Sequence, residues 1–266
     1  MINWTLLKKE WKTNYRLFLS FIAIMTMYIV IIVMMFDPDL GSALKQLELA
    51  MPGLMAAFGM VNSGDTLVGF MASYLYGFIM PVLPLIFIIV LGNKMVTHYV
   101  DNGSMAYLLA SPHSRLKIIG TQVFNMLSAV ALLYLTSAVI GYFSAQMFFP
   151  GQLNLERFLV LNLNVMIFML TFSGICFGLA CWLNESRQYV FAASGFCLTM
   201  YLIQMLVSMN EKLAVLKYFT LYSLFPYMDL ASGKINGIWQ MMILLAFGLI
   251  CYTCGVVYFM KKDLSI

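Results

Sequence analysis

The chain has 266 residues, of which 62% are hydrophobic and only 10% are charged, and its net charge is +4. A soluble domain carries about a quarter charged residues, so the composition excludes an ordinary soluble protein, and the small net charge gives no indication of a nucleic-acid partner. The apolar residues fall in blocks of about 20 or more, the length that crosses a bilayer as a helix. The composition therefore predicts an all-α polytopic membrane protein with a single domain over residues 1–266.

The amino-terminal residues 1–16 have the pattern of an amphipathic helix. Apolar and aromatic side chains recur at helical spacing, and basic side chains occupy another face, which is typical of a helix that lies in the membrane interface and contacts lipid. We predict a separate interfacial element, which acts either as a positively charged anchor or as a mechanical element that moves with the first span. Its residues are Trp4, Lys8, Lys9, Trp11, Lys12 and Arg16.

Six apolar runs follow, and none of them contains Asp, Glu, Lys or Arg. Each run is long enough to cross a bilayer as a helix. Pro81 and Pro84 fall inside the second run and predict a bend there, which is either static packing or a hinge. The predicted transmembrane helices cover residues 17–36, 66–92, 118–149, 158–183, 189–209 and 239–260.

The basic residues are distributed unequally over the segments between these runs. If the amino terminus is cytosolic, the cytosolic segments hold ten Lys and Arg residues against five outside, and four acids against seven. Because cytosolic loops are enriched in Lys and Arg, we predict that both termini are cytosolic. The outer segments 37–65 and 210–238 are too apolar for solvated loops, so we expect interfacial or re-entrant structure in both.

Catalytic and cofactor signatures are missing from the sequence. It has no G-x-x-x-x-G-K-[ST] nucleotide motif, no H-E-x-x-H metal motif and no histidine in a predicted span, so we expect no catalytic residue, metal or cofactor on this chain. The charge-free spans also argue against an ion-coupled transporter, which needs an ionisable group in the membrane. Five neutral polar residues in the spans are candidates either to hydrogen-bond between helices or to line a pathway: Gln122, Asn125, Asn162, Asn164 and Gln204.

A polar stretch, residues 98–115, separates the second and third runs. With its flanks this stretch carries four charged residues, Lys94, Asp101, Arg115 and Lys117. Burying them in hydrocarbon would cost about 10 kcal/mol, so the stretch lies outside the bilayer. Asp101 or Ser104 can cap a short helix over residues 105–110. One face of that helix is apolar, which fits either a groove on a partner protein or the lipid surface. The apolar face consists of Met105, Leu108 and Leu109.

The block from Gly92 to Gly120 resembles the first cytoplasmic loop of the ABC-2 type transporter permeases. In that family an acidic turn leads to a Gly-Thr pair and a Leu-Leu-x-x-Pro-x-x-Arg pattern, and here the acidic turn is reduced to Asp101. The basic amino-terminal helix and the terminal sequence YFMKKDLSI are also similar to that family. The residues that match the loop pattern are Gly103, Ser104, Leu108, Leu109, Pro112 and Arg115.

The resemblance implies a permease subunit that exports a peptide, lipid-like or other amphipathic substrate, in a plasma membrane that we expect to be bacterial. It implies that a separate ATPase dimer binds ATP and Mg²⁺ and acts on the loop helix, and that a second copy of the chain or a homologous permease completes the pathway. The alternatives are a sensor or immunity subunit that sequesters a peptide without pumping, and an intramembrane enzyme. The implied coupling residues are Gly103, Ser104, Met105, Tyr107, Leu108, Leu109, Pro112, Arg115, Glu185 and Arg187.

Overall fold

The computed structural model describes residues 2–37, 49–57, 59, 66–110, 113–209, 211–235 and 237–262. Within these residues six helices are long and apolar enough to cross a membrane, as predicted. They are α1 (Trp4–Met34), α3 (Leu67–Asp101), α5 (Arg115–Phe148), α6 (Leu155–Trp182), α7 (Ser186–Met209) and α9 (Ile238–Lys261). The shorter elements are α2 (Pro52–Ala57), α4 (Ser104–Leu109), α8 (Tyr227–Ser232) and the 3₁₀ turns Glu211–Phe219 and Leu221–Leu224.

The first helix corrects one prediction. Residues Trp4–Met34 form one uninterrupted helix, so the prediction that residues 1–16 form a separate element is wrong, while their position in the membrane interface stays a prediction. No Gly or Pro occurs in this stretch, and nothing therefore interrupts the backbone hydrogen bonds. The buried face of its first turns carries Leu6, Leu7, Glu10 and Asn14. The exposed face carries Lys8, Lys9, Lys12 and Arg16.

The second long helix, α3, is not a uniform α-helix. It is π-helical over Ala72–Ile79 and again over Asn93–Thr97. In the α-helical part between them, Pro84 has no N–H to donate to the carbonyl of Met80, four residues earlier. The Tyr134 hydroxyl of α5 donates to that carbonyl instead, at 2.5 Å. A neighbouring helix thus satisfies the group that the proline leaves without a donor.

The fourth long helix, α6, is the most buried of the six and packs along α9 through small residues. A Cβ atom on Gly174 would lie 2.9 Å from the carbonyl oxygen of Gly248, and one on Gly255 would lie 3.1 Å from Cα of Gly178. Small residues allow the backbones of membrane helices to approach closely. Gly174 and Gly178 therefore form a close contact with α9.

The segment between α7 and α9 folds back against the bundle. The rings of Tyr222 and Phe225 are buried and lie 5.0 and 5.2 Å, centroid to centroid, from the ring of Phe168 on α6. The Tyr227 hydroxyl donates to the carbonyl of Gly59 at 3.0 Å. Packing against α6 thus explains why the described part of residues 210–238 is apolar. Most of the other outer segment, including residues 38–48 and 60–65, lies outside the described residues.

Candidate functional site

Both described terminal segments and two loops meet at one end of the bundle, which we call the basic end. Hydrogen bonds between distant parts of the chain hold it together. Thr97 Oγ1 in α3 donates to the carbonyl of Ala180 in α6 at 3.3 Å, and Arg115 Nη1 donates to the carbonyl of Lys262 at 3.2 Å. The basic end consists of the described residues in the ranges 2–16, 93–117, 183–187 and 261–262. These ranges carry ten of the fifteen Lys and Arg residues of the chain.

The short helix α4 projects at the basic end, and its first turn differs from the prediction. Gly103 has φ +72°, in the left-handed region that favours glycine. The prediction of Asp101 or Ser104 as the cap is wrong, because Ser104 is already the first helical residue. The Asn102 Oδ1 atom accepts a hydrogen bond from the Ser104 backbone N–H at 3.0 Å. A side chain two residues before the N–H can reach it, as in an Asx turn.

The apolar face of α4 points into the chain's own bundle. Met105 is 3% exposed and belongs to the core, while Leu108 and Leu109 are half-buried and pack against that core. The burial of Met105 contradicts the prediction that this residue anchors α4 in a partner's groove or on lipid, whereas the prediction for Leu108 and Leu109 stays a prediction. Helical spacing showed which residues share a face but not which surface covers them. Tyr107 points away from the core and is 83% exposed.

The turn between α6 and α7 lies beside the carboxyl-terminal residues. Glu185 is exposed on this turn, and Arg187 is exposed in the first turn of α7. Lys262 Nζ donates to the carbonyls of Cys181 and Trp182 at 2.9 and 2.8 Å. The last carbonyls of a helix have no donor within that helix, and a cation is favourable there. Desolvation at this contact lowers the pKa of Lys262. Lys262 thus caps α6 and holds the turn that follows it.

Sequence reasoning missed a buried acid at the basic end. Glu10 is 2% exposed. Its Oε1 atom accepts hydrogen bonds from the Tyr99 hydroxyl at 2.8 Å and from Gln122 Nε2 at 3.3 Å, and its Oε2 atom accepts one from Asn14 Nδ2 at 3.3 Å. These four residues, the Glu10 network, join α1, α3 and α5 next to α4. Leu6, Glu10 and Asn14 are spaced four residues apart and share one helical face, and this spacing could have revealed the buried acid.

The neutral polar residues of the spans that were predicted to line a pathway differ in their contacts. Asn125 lines a small cavity beside α1. Asn162 and Asn164 are buried, and each donates to a carbonyl one turn earlier in its own helix, at 2.8 and 3.0 Å. Gln204 is half-buried on α7. The contacts of Asn162 and Asn164 indicate a role in packing.

The remaining predicted residues lie in different surroundings. Trp4 is exposed near the start of α1, whereas Trp11 is half-buried, with its ring 5.5 Å from that of Phe18, centroid to centroid. Arg115 is exposed at the first turn of α5. Pro112 lies outside the described residues.

Six long apolar helices and a strongly biased distribution of charge define a multi-pass membrane protein. The sequence model of the ABC-2 family transporter proteins matches residues 4–264, so the chain belongs to this family. It is the membrane component of an ABC-2 transporter, a subunit without an ATPase domain. The predicted family is thereby confirmed. No curated protein gives a significant match to the chain.

Proposed function

We propose that the chain is the permease subunit of an ABC exporter, with its basic end in the cytosol. The excess of Lys and Arg at this end supports the orientation, since cytosolic segments of membrane proteins carry that excess. Membership of the ABC-2 family supports a partnership with an ATPase subunit, which binds ATP and Mg²⁺. The substrate class we propose, a peptide, lipid-like or other amphipathic molecule, suits a pathway through apolar helices.

The ATPase docks on the exposed side of α4, centred on Tyr107, with a second contact at Glu185 and Arg187. The observation that carries this proposal is that α4 has two different sides. Met105 fixes one side in the core, while the Tyr107 ring is exposed on the other. Exposed aromatic residues are typical anchors of protein interfaces. A force on Tyr107 therefore acts on the bundle through the buried side of the same helix.

Movement of α4 reaches the spans through its two neighbours in the chain. The helix is linked to the end of α3 by Asn102 and Gly103, and to the start of α5 by residues 110–114. The π-helical segment Asn93–Thr97 lies in α3 directly before this link. Such segments occur frequently at functional sites and at bends in helices. We therefore assign to this part of α3 the bending that accompanies ATP-driven movement.

A second copy of the chain faces α7 in the proposed transporter. Among the six long helices, α7 is the least buried, and it exposes Phe191, Leu198 and Leu202. Together with α3, it lines an apolar groove of about 450 Å³. In the proposed arrangement the two grooves face each other across the pathway, and the complex contains two permeases and two ATPases.

Co-purification of the permease with its ATPase tests this function. An interface anchor costs about 2 kcal/mol when it is lost, or roughly thirtyfold in affinity, so Tyr107→Glu should release the ATPase. Tyr218→Glu is the matched control, because Tyr218 is 78% exposed between α7 and α9, at the opposite end of the bundle. Leu108→Asp is not diagnostic, since Leu108 packs against the core.

The outcomes separate the parts of the proposal. A wild-type chain that binds no ATPase contradicts the permease function. An ATPase that remains bound to Tyr107→Glu at wild-type stoichiometry contradicts the docking site alone. A native mass that corresponds to one permease for each ATPase dimer contradicts the pairing of two copies.

A further inference from the structure

Glu10 is the one charged side chain that is buried within the described part of the chain. Its surroundings connect the proposed docking helix α4 to the first span. We infer, on the basis of the proposed function, that Glu10 and Tyr99 transmit the movement of α4 to α1. Both act as positioning residues that touch neither ATP nor substrate.

Tyr99 provides the connection because it contacts both helices. It lies in the last turn of α3, and its carbonyl oxygen lies 3.4 Å from the Ser104 hydroxyl at the start of α4, while the shorter bond of that hydroxyl, 2.5 Å, goes to Asn102 Oδ1. Its own hydroxyl donates to Glu10 Oε1 of α1 at 2.8 Å. The Lys9 ammonium of α1 lies 5.3 Å from the centroid of the same ring. A displacement of α4 therefore displaces the residue that holds α1.

The chemistry of Glu10 makes this connection strong. A buried carboxylate is costly unless it is hydrogen-bonded, and here three neutral side chains donate to it. Hydrogen bonds to an ionised acceptor are about twice as strong as those between neutral groups. Because loss of the donors would leave a buried charge unpaired, α1 follows the Tyr99 hydroxyl when that group moves.

The Glu10 network and the neighbouring Asn125 also have unused hydrogen-bonding capacity. Asn14 Oδ1, Gln122 Oε1 and Asn125 Nδ2 are buried and make no hydrogen bond with described residues. Asn14 and Asn125 line the same small cavity between α1, α3 and α5. These atoms allow the network to exchange partners when the helices shift. An element that alternates between two arrangements needs such alternative pairings.

The test measures nucleotide-driven movement of α1 in the complex of the permease with its ATPase, reconstituted in vesicles. Met35 follows α1 at the opposite end and is 61% exposed, so Met35→Cys reports on the far end of the helix. The rate of maleimide labelling is compared without nucleotide and with Mg-ATP plus vanadate. Background labelling is measured on the chain that retains Met35.

Two variants alter the network and two matched variants make the same chemical change elsewhere. Tyr99→Phe removes the hydroxyl that donates to Glu10, and Glu10→Gln removes the charge. Tyr252→Phe removes a buried hydroxyl that lies 2.6 Å from the Ser173 hydroxyl in the α6–α9 contact. Glu156→Gln removes an exposed charge at the opposite end.

We expect Tyr99→Phe and Glu10→Gln to reduce the nucleotide-dependent change in labelling about fivefold or more, with the ATPase still bound at full stoichiometry. Tyr252→Phe lowers the unfolding temperature but leaves the change in labelling intact. Three results overturn the inference. The nucleotide-dependent change in labelling survives in both network variants, it is lost equally in Tyr252→Phe, or it never occurs in the wild-type complex. An ATPase that does not bind the wild-type chain overturns the proposed function instead.

Discussion

The α6–α9 contact and the Glu10 network hold helices together by different means. In the α6–α9 contact the backbones touch, because a Cβ atom on Gly174 would lie 2.9 Å from the Gly248 carbonyl oxygen. The Thr171 hydroxyl closes the same contact by donating to the Leu244 carbonyl at 2.9 Å. In the Glu10 network long side chains reach across the space between α1, α3 and α5.

This difference determines how far each contact can move. Backbones in van der Waals contact have no side chains that can adjust, so α6 and α9 move as one unit. A carboxylate with several donors can exchange one donor for another as the helices slide. In the mechanism we propose, α6 and α9 are the fixed part of the permease, and α1, α3 and α5 are its moving part at the basic end.

Gly174→Leu should have the largest effect on stability. The new side chain meets the Gly248 backbone and the Tyr252 ring, and such overpacking costs about 3 kcal/mol. We expect a lower unfolding temperature of the purified protein in detergent and a loss of folded protein from membranes. Gly120→Leu is the control, because a Cβ placed there meets open space and no neighbouring helix. Equal stability of the two variants would contradict the α6–α9 contact.

The sequence predicts the spans well, because a membrane-spanning helix needs a certain length and apolarity, and both are local properties of the sequence. It predicts their ends less well. The charges of α1 marked residues 1–16 as a separate element, although helix formation depends on the backbone, and a helix without Gly or Pro continues past a change in polarity. The π-helical segments of α3 were not predicted, since they depend on packing against other helices.

The candidate site shows a second limit of sequence reasoning. The position of α4 and its apolar face are readable from spacing, but the surface that covers Met105 depends on the tertiary fold. Glu10 lies among four basic residues and therefore has the composition of a solvated face. Only the fold shows that Tyr99 and Gln122, about 90 and 110 residues away, bring their donors to it.

A smaller effect is expected at the bond between Tyr134 and Met80, on the moving side of the comparison. Tyr134→Phe leaves the Met80 carbonyl without its donor, which should cost about 1 kcal/mol in the free energy of unfolding. Pro84→Ala supplies a backbone N–H to the same carbonyl. The double variant should therefore lose less stability than the sum of the single variants. If the stability losses of the two single variants add up to that of the double variant, the backbone N–H does not replace the Tyr134 hydroxyl as the donor. Tyr142→Phe on the same helix is the control.

The smallest effect is expected where the fixed part ends, at Lys262. Lys262→Met removes the cation that caps α6, and a charge at a helix terminus contributes about 0.5 to 1 kcal/mol. The change should act locally, since the same ammonium holds the carbonyls that lead into the turn with Glu185. We expect faster backbone hydrogen exchange over residues 183–187 and only a slight decrease in unfolding temperature. Lys261→Met is the matched control, because Lys261 is the neighbouring basic residue and is exposed. If both variants exchange at the wild-type rate, Lys262 does not hold the turn, and the second contact proposed for the ATPase is then positioned by α6 and α7 alone.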